Sequence, residues 1–274
     1  MATAGAAMTE PLLLERVDRV ATITLNRPDA LNTLDFTLMD ALVDAAANVA
    51  ADGGLRAVVL RGSGKHFMAG GDLRTFAGEL AKPGPQRNAD FRRIIGRLHS
   101  AIEHFHRMPH PIIARVTGAV AGFGLSLMNA CDLVVASDDT YFASAYRHIG
   151  LTPDGGGSWT LPRLVGARRA MEILLLGERF DAQAALKIGL VNRVVSLAEL
   201  DAALASIVQS LATGPAMAIR NAKRLVRDSL THSLSEQLDA EAVSFGACAA
   251  TDDFVEGITA FLEKRPARFG GPGS

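Results

Sequence analysis

The chain contains 274 residues, with 28 Lys+Arg and 29 Asp+Glu, which gives a formal net charge of −1. This length corresponds to one or two domains, and the near-neutral charge gives no support for a nucleic-acid-binding surface or a basic membrane patch. Hydrophobic residues make up 49% and charged residues 21% of the chain, which is typical of a globular protein with a large core. These values exclude an intrinsically disordered chain and a disulfide-stapled mini-protein.

The cysteines and the apolar segments indicate the compartment. Cys131 and Cys248 lie far apart and outside any C-x-x-C spacing, which excludes a cysteine zinc site and a disulfide framework. Residues 1–10 have no basic n-region, and residues 12–14 are too short for a signal-peptide core. The apolar stretch 119–136 is interrupted by polar residues, so it predicts buried core instead of a membrane helix. We expect a cytoplasmic protein without membrane insertion.

The first part of the chain alternates short strands with helices. Residues 19–25 are β-branched and alternating, which predicts a strand. Apolar residues recur at helical spacing from Phe36 to Ala50, and Asp35 is a suitable N-cap. Residues 57–60 predict a short buried strand, whereas the polar, Gly- and Pro-containing segment 77–90 predicts a mobile surface connection.

The middle of the chain continues this alternation around two glycine-rich loops. The apolar residues of 91–105 share one face and predict a second helix. Residues 112–116 predict the next strand, and the glycine-rich loop 118–124 leads into a short apolar helix. A strand over 133–135 and a second glycine-rich loop over 150–157 follow.

The last third of the chain predicts mainly helices. They cover residues 168–176, 181–189, 200–211, 216–228, 233–250 and 254–263. The alternation in the first half predicts an α/β core with parallel strand pairing. The helical tail must then pack on that core or on a neighbouring molecule.

Several common cofactor and catalytic motifs are incomplete. Gly64-Lys65 lacks the first glycine and the Ser or Thr of a P-loop, and Leu127 stands at the third glycine of a dinucleotide pattern. The chain has no G-x-S-x-G elbow, and its His, Asp and Glu residues show no metal-ligand spacing. We therefore predict neither a metal nor a redox cofactor.

Two glycine loops, 67–72 and 118–124, each follow a buried strand and open a helix. Glycine lets the backbone approach a ligand closely, so one N–H from each loop would form an oxyanion hole. One such donor is typically worth about 3–4 kcal/mol of transition-state stabilisation. The alternative is a pair of tight turns that only allow strand-to-helix packing. Glycine content alone favours the tight turns.

Longer motifs distinguish between these readings, because the chain resembles the enoyl-CoA hydratase/isomerase (crotonase) family. The resemblance extends from about Val17 to Phe269. It rests on ITLNRPDALNTL at 23–34, FMAGGDL at 67–73, PIIARVTGAVAGFGLSLMNACDLVVAS at 111–137, FASAYRHIGLTPDGGGSWTLPRLVG at 142–166, and ATDDFVEGITAFLEKR at 250–265.

The resemblance implies a fold and an assembly. It implies an α/β, crotonase-type spiral of β-β-α repeats, with residues 1–198 as the core that holds an acyl-CoA site. Residues 199–274 would form a helical C-terminal region used in trimerisation, and family trimers often pair as hexamers. Coenzyme A would be part of the substrate, so no separate cofactor is expected.

The resemblance also implies an oxyanion hole and a coenzyme A path. The two backbone donors fall on Gly71 and Phe123. Family members often have glycine at the second position, so the Phe123 side chain should narrow or reshape the acyl pocket. Positions where relatives contact coenzyme A match Ala30, Leu31, Ala69, Arg74, Phe261 and Lys264; Arg74 would equally suit a solvated surface charge.

The proton-moving residues set the reaction that we expect. The two glutamates that hold water in hydratases of the family match Ser126 and Tyr146, neither of which is a base near pH 7. Asp154 matches the catalytic aspartate of ring-epoxide phenylacetyl-CoA isomerases. The residues around Asp154 resemble that branch of the family most closely. We expect Asp154 to shift a double bond as acid and base, with its pKa raised by apolar neighbours such as Phe123 and Trp159.

Three alternatives remain at the level of sequence. Enoyl-CoA hydration is the first. In the second, which follows the dehalogenase of the family, Asp154 is a nucleophile, His99 activates water and Tyr146 lies against the substrate. For His99, a structural role on the helix face is favoured over activation of water. The third is a non-catalytic acyl-CoA binder, against which the carboxylate of Asp154 argues.

Overall fold

A computed structural model describes residues 10–270 of the chain. The nine residues before Glu10, over which we expected no signal-peptide n-region, lie outside the described residues. The last four residues of the predicted C-terminal region, 271–274, also lie outside them.

The core of the protein is a six-stranded sheet. β1 pairs antiparallel with β2, and every later neighbour in the sheet is parallel. In spatial order the strands are β1 (Leu12–Val17), β2 (Val20–Leu25), β3 (Ala57–Gly62), β4 (Ile112–Val116), β6 (Leu133–Ser137) and β9 (Arg193–Val195).

A smaller, three-stranded sheet lies beside it. Its order is β5 (Ala119–Ala121), β7 (Tyr141–Ala143) and β8 (Phe180–Asp181), with a parallel and then an antiparallel pairing. Two isolated bridges, Leu34 to Gly71 and Met68 to Val120, connect the loops that follow the strands of the main sheet.

Eleven α-helices lie within residues 10–270. Two 3-10 segments, Pro28–Ala30 and Ala145–Ile149, accompany them. The helices are α1 (Phe36–Ala51), α2 (Leu73–Ala77), α3 (Gly84–Arg107), α4 (Phe123–Asn129), α5 (Gly157–Val165), α6 (Ala167–Leu176), α7 (Ala182–Lys187), α8 (Leu200–Ala212), α9 (Ala216–Asp228), α10 (Leu234–Ala249) and α11 (Asp252–Leu262).

The α/β class predicted from the sequence is confirmed, and so is most of the element order. Asp35 caps α1 as expected, since its carboxylate accepts a hydrogen bond of 2.8 Å from the Leu38 N–H. Strands β1, β5, β7, β8 and β9 and helix α5 were not predicted. The mobile connection predicted over 77–90 is wrong after residue 83, because α3 already begins at Gly84 with a proline in its first turn, where proline is tolerated.

Among residues 10–270, no single helix is long and apolar enough to cross a bilayer. The pair α8 and α9 reaches the required length and composition only when taken together, across a bend of 105°.

A buried ionic cluster ties α9 to the sheet. Asp132, at the start of β6, accepts hydrogen bonds from Lys223 (2.7 Å), Arg227 (2.6 Å) and the Ile112 N–H (2.7 Å). The Lys223 side chain is 7% exposed and donates a further bond of 2.6 Å to the His110 carbonyl. This cluster connects the helical tail to the core. Asp132 therefore has a structural role beyond its place between α4 and β6.

Replacing Asp132 with alanine should therefore lower the free energy of unfolding by about 3–5 kcal/mol, because two buried cations lose their counterion. Urea unfolding followed by circular dichroism measures this change. Glu172→Ala is the matched control, since its pair with Arg169 is about half exposed and should contribute at most about 1 kcal/mol. Equal losses in the two variants would contradict a structural role for the cluster.

Candidate active site

Two strand-to-helix loops meet at the centre of the candidate site. The Met68 N–H donates to the Ala119 carbonyl (3.1 Å), and the Ala121 N–H donates to the Met68 carbonyl (2.9 Å). Gly70 and Gly122 have φ values of +96° and +53°, which favour glycine. A Cβ on Gly122 would lie 3.3 Å from the Gly70 Cα. The two glycines therefore allow the loops to approach closely.

This approach places two backbone donors on one cavity. Gly71 and Phe123 both line it. In the described part of the chain, neither N–H donates to a backbone carbonyl. Phe123 is the first residue of α4, where an N–H has no partner within the helix. Two free donors on a shared cavity fit an oxyanion hole better than they fit tight turns alone.

A charged clamp fixes the first of these loops. The Arg27 guanidinium contacts the carboxylates of Asp35 (3.0 Å) and Asp72 (3.2 Å). The Leu34 N–H donates to the Gly70 carbonyl (2.8 Å), and the Asp72 N–H donates to the Leu34 carbonyl (2.9 Å). Asp72 also caps α2, since its carboxylate accepts a hydrogen bond from the Arg74 N–H. The clamp holds the segment around Gly71 from both sides.

We call the space in front of the two donors the front cavity; its volume is about 330 Å³. The Phe76 ring lies directly on Gly71, where any Cβ would come within 2.9 Å of its Cζ. Phe76 also packs edge-to-face on Phe91, with ring centroids 5.3 Å apart. The wall is otherwise mainly apolar and includes Leu34, Phe36, Met39, Leu73, Ile94, Ile95, Leu98, Ile149 and Leu151.

Asp154 lies on the front cavity beside the two donors. The Tyr146 hydroxyl donates a short hydrogen bond to its Oδ1. The Ser126 hydroxyl donates to the Asp154 main-chain carbonyl at 2.8 Å, and the Gly157 N–H donates to the same oxygen at 3.0 Å. Tyr146 lines the cavity, whereas Ser126 is buried behind it. The Oδ1 atom of the carboxylate is thus engaged by Tyr146, whereas Oδ2 has no hydrogen-bond partner among the described residues and can accept a proton.

Burial and hydrogen bonding act in opposite directions on the pKa of Asp154. Burial is the largest effect and raises the pKa above its ordinary value, and the Tyr146 hydrogen bond partly reverses this rise. Burial and the neighbouring carboxylate raise the pKa of Tyr146, so it stays a protonated donor at neutral pH. A carboxylate with a raised pKa beside a protonated phenol can accept and return a proton.

His99 also lies on the front cavity. Its Nε2 accepts a hydrogen bond of 3.2 Å from the Gly155 N–H, so that nitrogen is the unprotonated one in this arrangement. The Phe123 ring packs on the same loop, because a Cβ on Gly155 would lie 2.7 Å from the ring. Phe123 therefore supports the Asp154 loop with its side chain while presenting its N–H to the cavity.

The structure brings together Gly71, Phe123, Asp154, Tyr146, His99 and Ala69 around the front cavity. Placing Trp159 beside Asp154 was wrong. Trp159 lines a separate cavity together with His106, packing edge-to-face on that ring at 5.2 Å. It points away because α5 begins at Gly157, directly after the Asp154 loop.

The other expected site residues lie outside the front-cavity wall. Ala30 and Leu31 end the first 3-10 segment, with Leu31 44% exposed, and Arg74 lies exposed in α2. Phe261 and Lys264 lie exposed at the end of α11. Arg27 and Phe76 were not singled out from the sequence, and Phe91 was predicted only as part of a helix face. An arginine before a proline, or a phenylalanine in a polar segment, gives no periodic signal.

Residues 10–270 contain no group of three or more His, Cys, Asp or Glu side chains arranged to hold a metal ion.

The chain is similar along most of its length to several known proteins. The 1,2-epoxyphenylacetyl-CoA isomerase of Escherichia coli is 33% identical over 94% of this chain and 98% of its own. The crotonyl-CoA hydratase of Syntrophomonas wolfei is 33% identical over 95% and 98%. A solved enoyl-CoA hydratase from Mycobacterium smegmatis superposes with a TM-score of 0.86, at 34% identity over 94% of this chain and 98% of that one. Hydratase names are the more frequent among such relatives.

The family assignment follows from the match over nearly the whole length. The enoyl-CoA hydratase/isomerase family model covers residues 15–272. The chain therefore belongs to the enoyl-CoA hydratase/isomerase family.

Proposed function

We propose that this enzyme shifts the carbon–carbon double bond of an enoyl-CoA thioester. Asp154 would be the acid and base, and the N–H groups of Gly71 and Phe123 would hold the thioester oxygen. The observation that carries the proposal is how the two carboxylates on the front cavity are paired and hydrogen-bonded. Asp35 is paired with Arg27, whereas Asp154 has only the neutral Tyr146 as a side-chain hydrogen-bond partner in the described chain.

The steps balance without a co-reactant. Asp154 Oδ2 removes a proton from the γ-carbon of a 2-enoyl thioester, or from the α-carbon of a 3-enoyl thioester. The electron pair passes into the thioester, and the two amides stabilise the dienolate oxygen. Asp154 then returns the proton to the other carbon, and the double bond moves. The apolar wall of the front cavity suits the hydrocarbon part of such a substrate.

The arrangement around Asp154 favours isomerisation over hydration. Ser126 and Tyr146 stand at the positions where the resemblance places the water-holding glutamates. Both hydroxyls donate to Asp154 itself, one to its main chain and one to its carboxylate. A water molecule bound near these two positions would therefore contact only one carboxylate, that of Asp154. The nucleophilic route is less favoured, because the His99 Nε2 already accepts from Gly155.

Coenzyme A contacts are part of the proposal. Ala69 lies on the cavity wall, and the exposed Arg74 stands two residues beyond the first oxyanion loop, in reach of solvent-facing phosphates. Ala30 and Leu31 would line the nucleotide path. Phe261 and Lys264 would reach the site of a neighbouring subunit.

The first experiment incubates the enzyme with trans-2-enoyl-CoA and trans-3-enoyl-CoA and separates the products by chromatography with mass detection. We expect interconversion without a change in mass. Asp154→Asn should lower kcat by about 10²–10⁴-fold, because a positioned acid/base is removed, while calorimetry shows unchanged acyl-CoA binding. Asp138→Asn, at an exposed position, is the control for the charge change.

The other outcomes each contradict the proposal in a different way. A gain of one water would indicate hydration. Tight binding of a broad substrate panel without turnover would indicate a binder. A covalent adduct on Asp154, found by mass spectrometry, would indicate the nucleophilic route. Full activity of Asp154→Asn would show that another group moves the proton.

The pH profile should report the bond between Tyr146 and Asp154. The base must be ionised, so kcat/KM falls as the pH drops through the pKa of Asp154. Tyr146→Phe removes the donor that lowers this pKa, so the acid limb should move to higher pH. A hydrogen bond to a charged group is worth about 1.5–3 kcal/mol, which corresponds to a shift of about one to two pH units.

Ser126→Ala is the matched control for this shift. The Ser126 hydroxyl bonds the main-chain carbonyl of Asp154 and not the carboxylate. The variant should lower kcat without moving the acid limb. If both variants leave the limb in place, or move it equally, Tyr146 does not set the pKa of the base.

We also propose that the enzyme assembles as a homotrimer, alone or paired as a hexamer. Helices α10 and α11 expose large apolar side chains that a monomer leaves in water, which is typical of an interaction surface. They include Leu234, Val243, Phe245, Val255, Phe261 and Leu262, each more than 60% exposed. Light scattering at micromolar concentration should give three or six times the mass of 28.9 kDa; a monomer would contradict this assembly.

A further inference from the structure

A second and larger cavity, which is open to solvent, lies further along α3. We call it the distal cavity; its volume is about 770 Å³. Phe91, Ile95 and Leu98 of α3 line the front cavity, and Ile102 and His106 line the distal one. These residues are spaced by three or four, so they form one stripe along the helix. Both cavities therefore share one continuous wall.

The loop after Asp154 crosses this stripe and separates the two cavities. Asp154 lines the front cavity, whereas Gly156, two residues further, lines the distal cavity. The loop contacts α3 at two points. The Gly155 N–H bonds His99 at 3.2 Å, and a Cβ on Gly156 would lie 3.7 Å from the Ile102 Cγ2.

Three glycines make this partition thin. A Cβ on Gly155 would clash with Phe123 at 2.7 Å, and one on Gly157 would clash with the Ser126 Oγ at 2.6 Å. Gly156 has room beside it, and the side chain of Ile102 borders that room. Along the stripe, Ile102 is the side chain that lies over the bare backbone of Gly156.

The charges of the distal cavity are compensated by the protein itself. Lys223 and Arg227 both pair with Asp132. Arg107 pairs with Glu103, and the Arg163 guanidinium lies 4.0 Å from the centre of the Trp159 ring. The remaining wall is apolar and includes Ile102, Trp159, Leu164, Ala222, Val226 and Leu230. Such a space fits a hydrocarbon chain better than it fits an anion.

We propose that Ile102 sets the acyl-chain length of this enzyme, and that the distal cavity is a binding site for the far end of a longer alkyl chain. The proposal rests on the function proposed above. With the thioester oxygen at Gly71 and Phe123 and the reacting carbons at Asp154, the rest of the chain passes His99 and meets Ile102. In the wild type Ile102 stops it there, and a smaller side chain opens the passage.

The test measures binding, so it does not depend on turnover. Saturated acyl-CoA thioesters from four to sixteen carbons are titrated by calorimetry against the wild type and Ile102→Ala. Each methylene that becomes buried should strengthen binding by about fourfold. We therefore expect affinity in Ile102→Ala to keep rising for at least two methylenes beyond the wild-type plateau, a gain of about 15-fold. Ile102→Val, a milder change, should shift the plateau in the same direction by less.

A second variant tests whether the chain enters the distal cavity. Ala222→Trp fills part of that cavity from α9, at a position that lines the distal cavity and not the front cavity. In the Ile102→Ala background it should abolish the gain for long chains and leave four- and six-carbon thioesters unchanged. An unchanged plateau in both Ile102 variants would overturn the role of this residue. A gain that survives Ala222→Trp would overturn the distal cavity as the binding site.

The outcome of this binding test does not depend on the outcome of the isomerase test. If the enzyme hydrates or only binds its substrate, the chain-length profile still reports the partition. If the enzyme isomerises and the profile does not move, only the role of Ile102 fails.

Discussion

Pairing between the two glycine loops is the constraint on which the site depends. Met68 exchanges backbone hydrogen bonds with Ala119 and Ala121, and these bonds set the loops side by side at the ends of β3 and β4. Only then do the unpaired amides of Gly71 and Phe123 face one cavity. Side chains at Gly70 or Gly122 would force the loops apart, because each would meet the backbone of the other loop at 3.3 Å. The two amides are therefore positioned by main chain alone, so their geometry depends on no side-chain rotamer.

The carboxylate of Asp154 is held in a different way. Asp154 lies in a loop whose conformation is fixed from three directions, by Ser126 and Gly157 on its carbonyl, by His99 on the next amide and by the Phe123 ring on Gly155. Its charge is opposed by burial and supported by one phenol. A salt bridge at this point would make the carboxylate a weaker base. The hydrogen bond from one neutral donor keeps the carboxylate ionisable, and burial against an apolar wall keeps it basic.

Sequence reasoning predicted much of this fold. Periodicity predicted α1, α9 and β4, because their patterns are long or strongly apolar, and the motifs pointed to Gly71, Phe123 and Asp154, which line one cavity. It missed β5, β7, β8 and β9, which are only two or three residues long, and β1, because the sequence LLLERV does not alternate. It also began α3 too late, because residues 84–90 are polar on most faces. Trp159 was misplaced because its position in the motif says nothing about the direction of α5. The clamp of Arg27 on Asp35 and Asp72 joins residues 45 apart, which no local pattern shows.

Replacing the two glutamates with Ser126 and Tyr146 changes more than the number of bases. A glutamate at position 146 would place a second negative charge against Asp154, and two carboxylates so close cannot both ionise near neutral pH. Tyrosine at that position avoids the conflict and supplies a donor in place of an acceptor. Serine at position 126 likewise turns toward the Asp154 loop and leaves the cavity. The two substitutions therefore act together: each is consistent with a single buried base, and neither favours a second one for water.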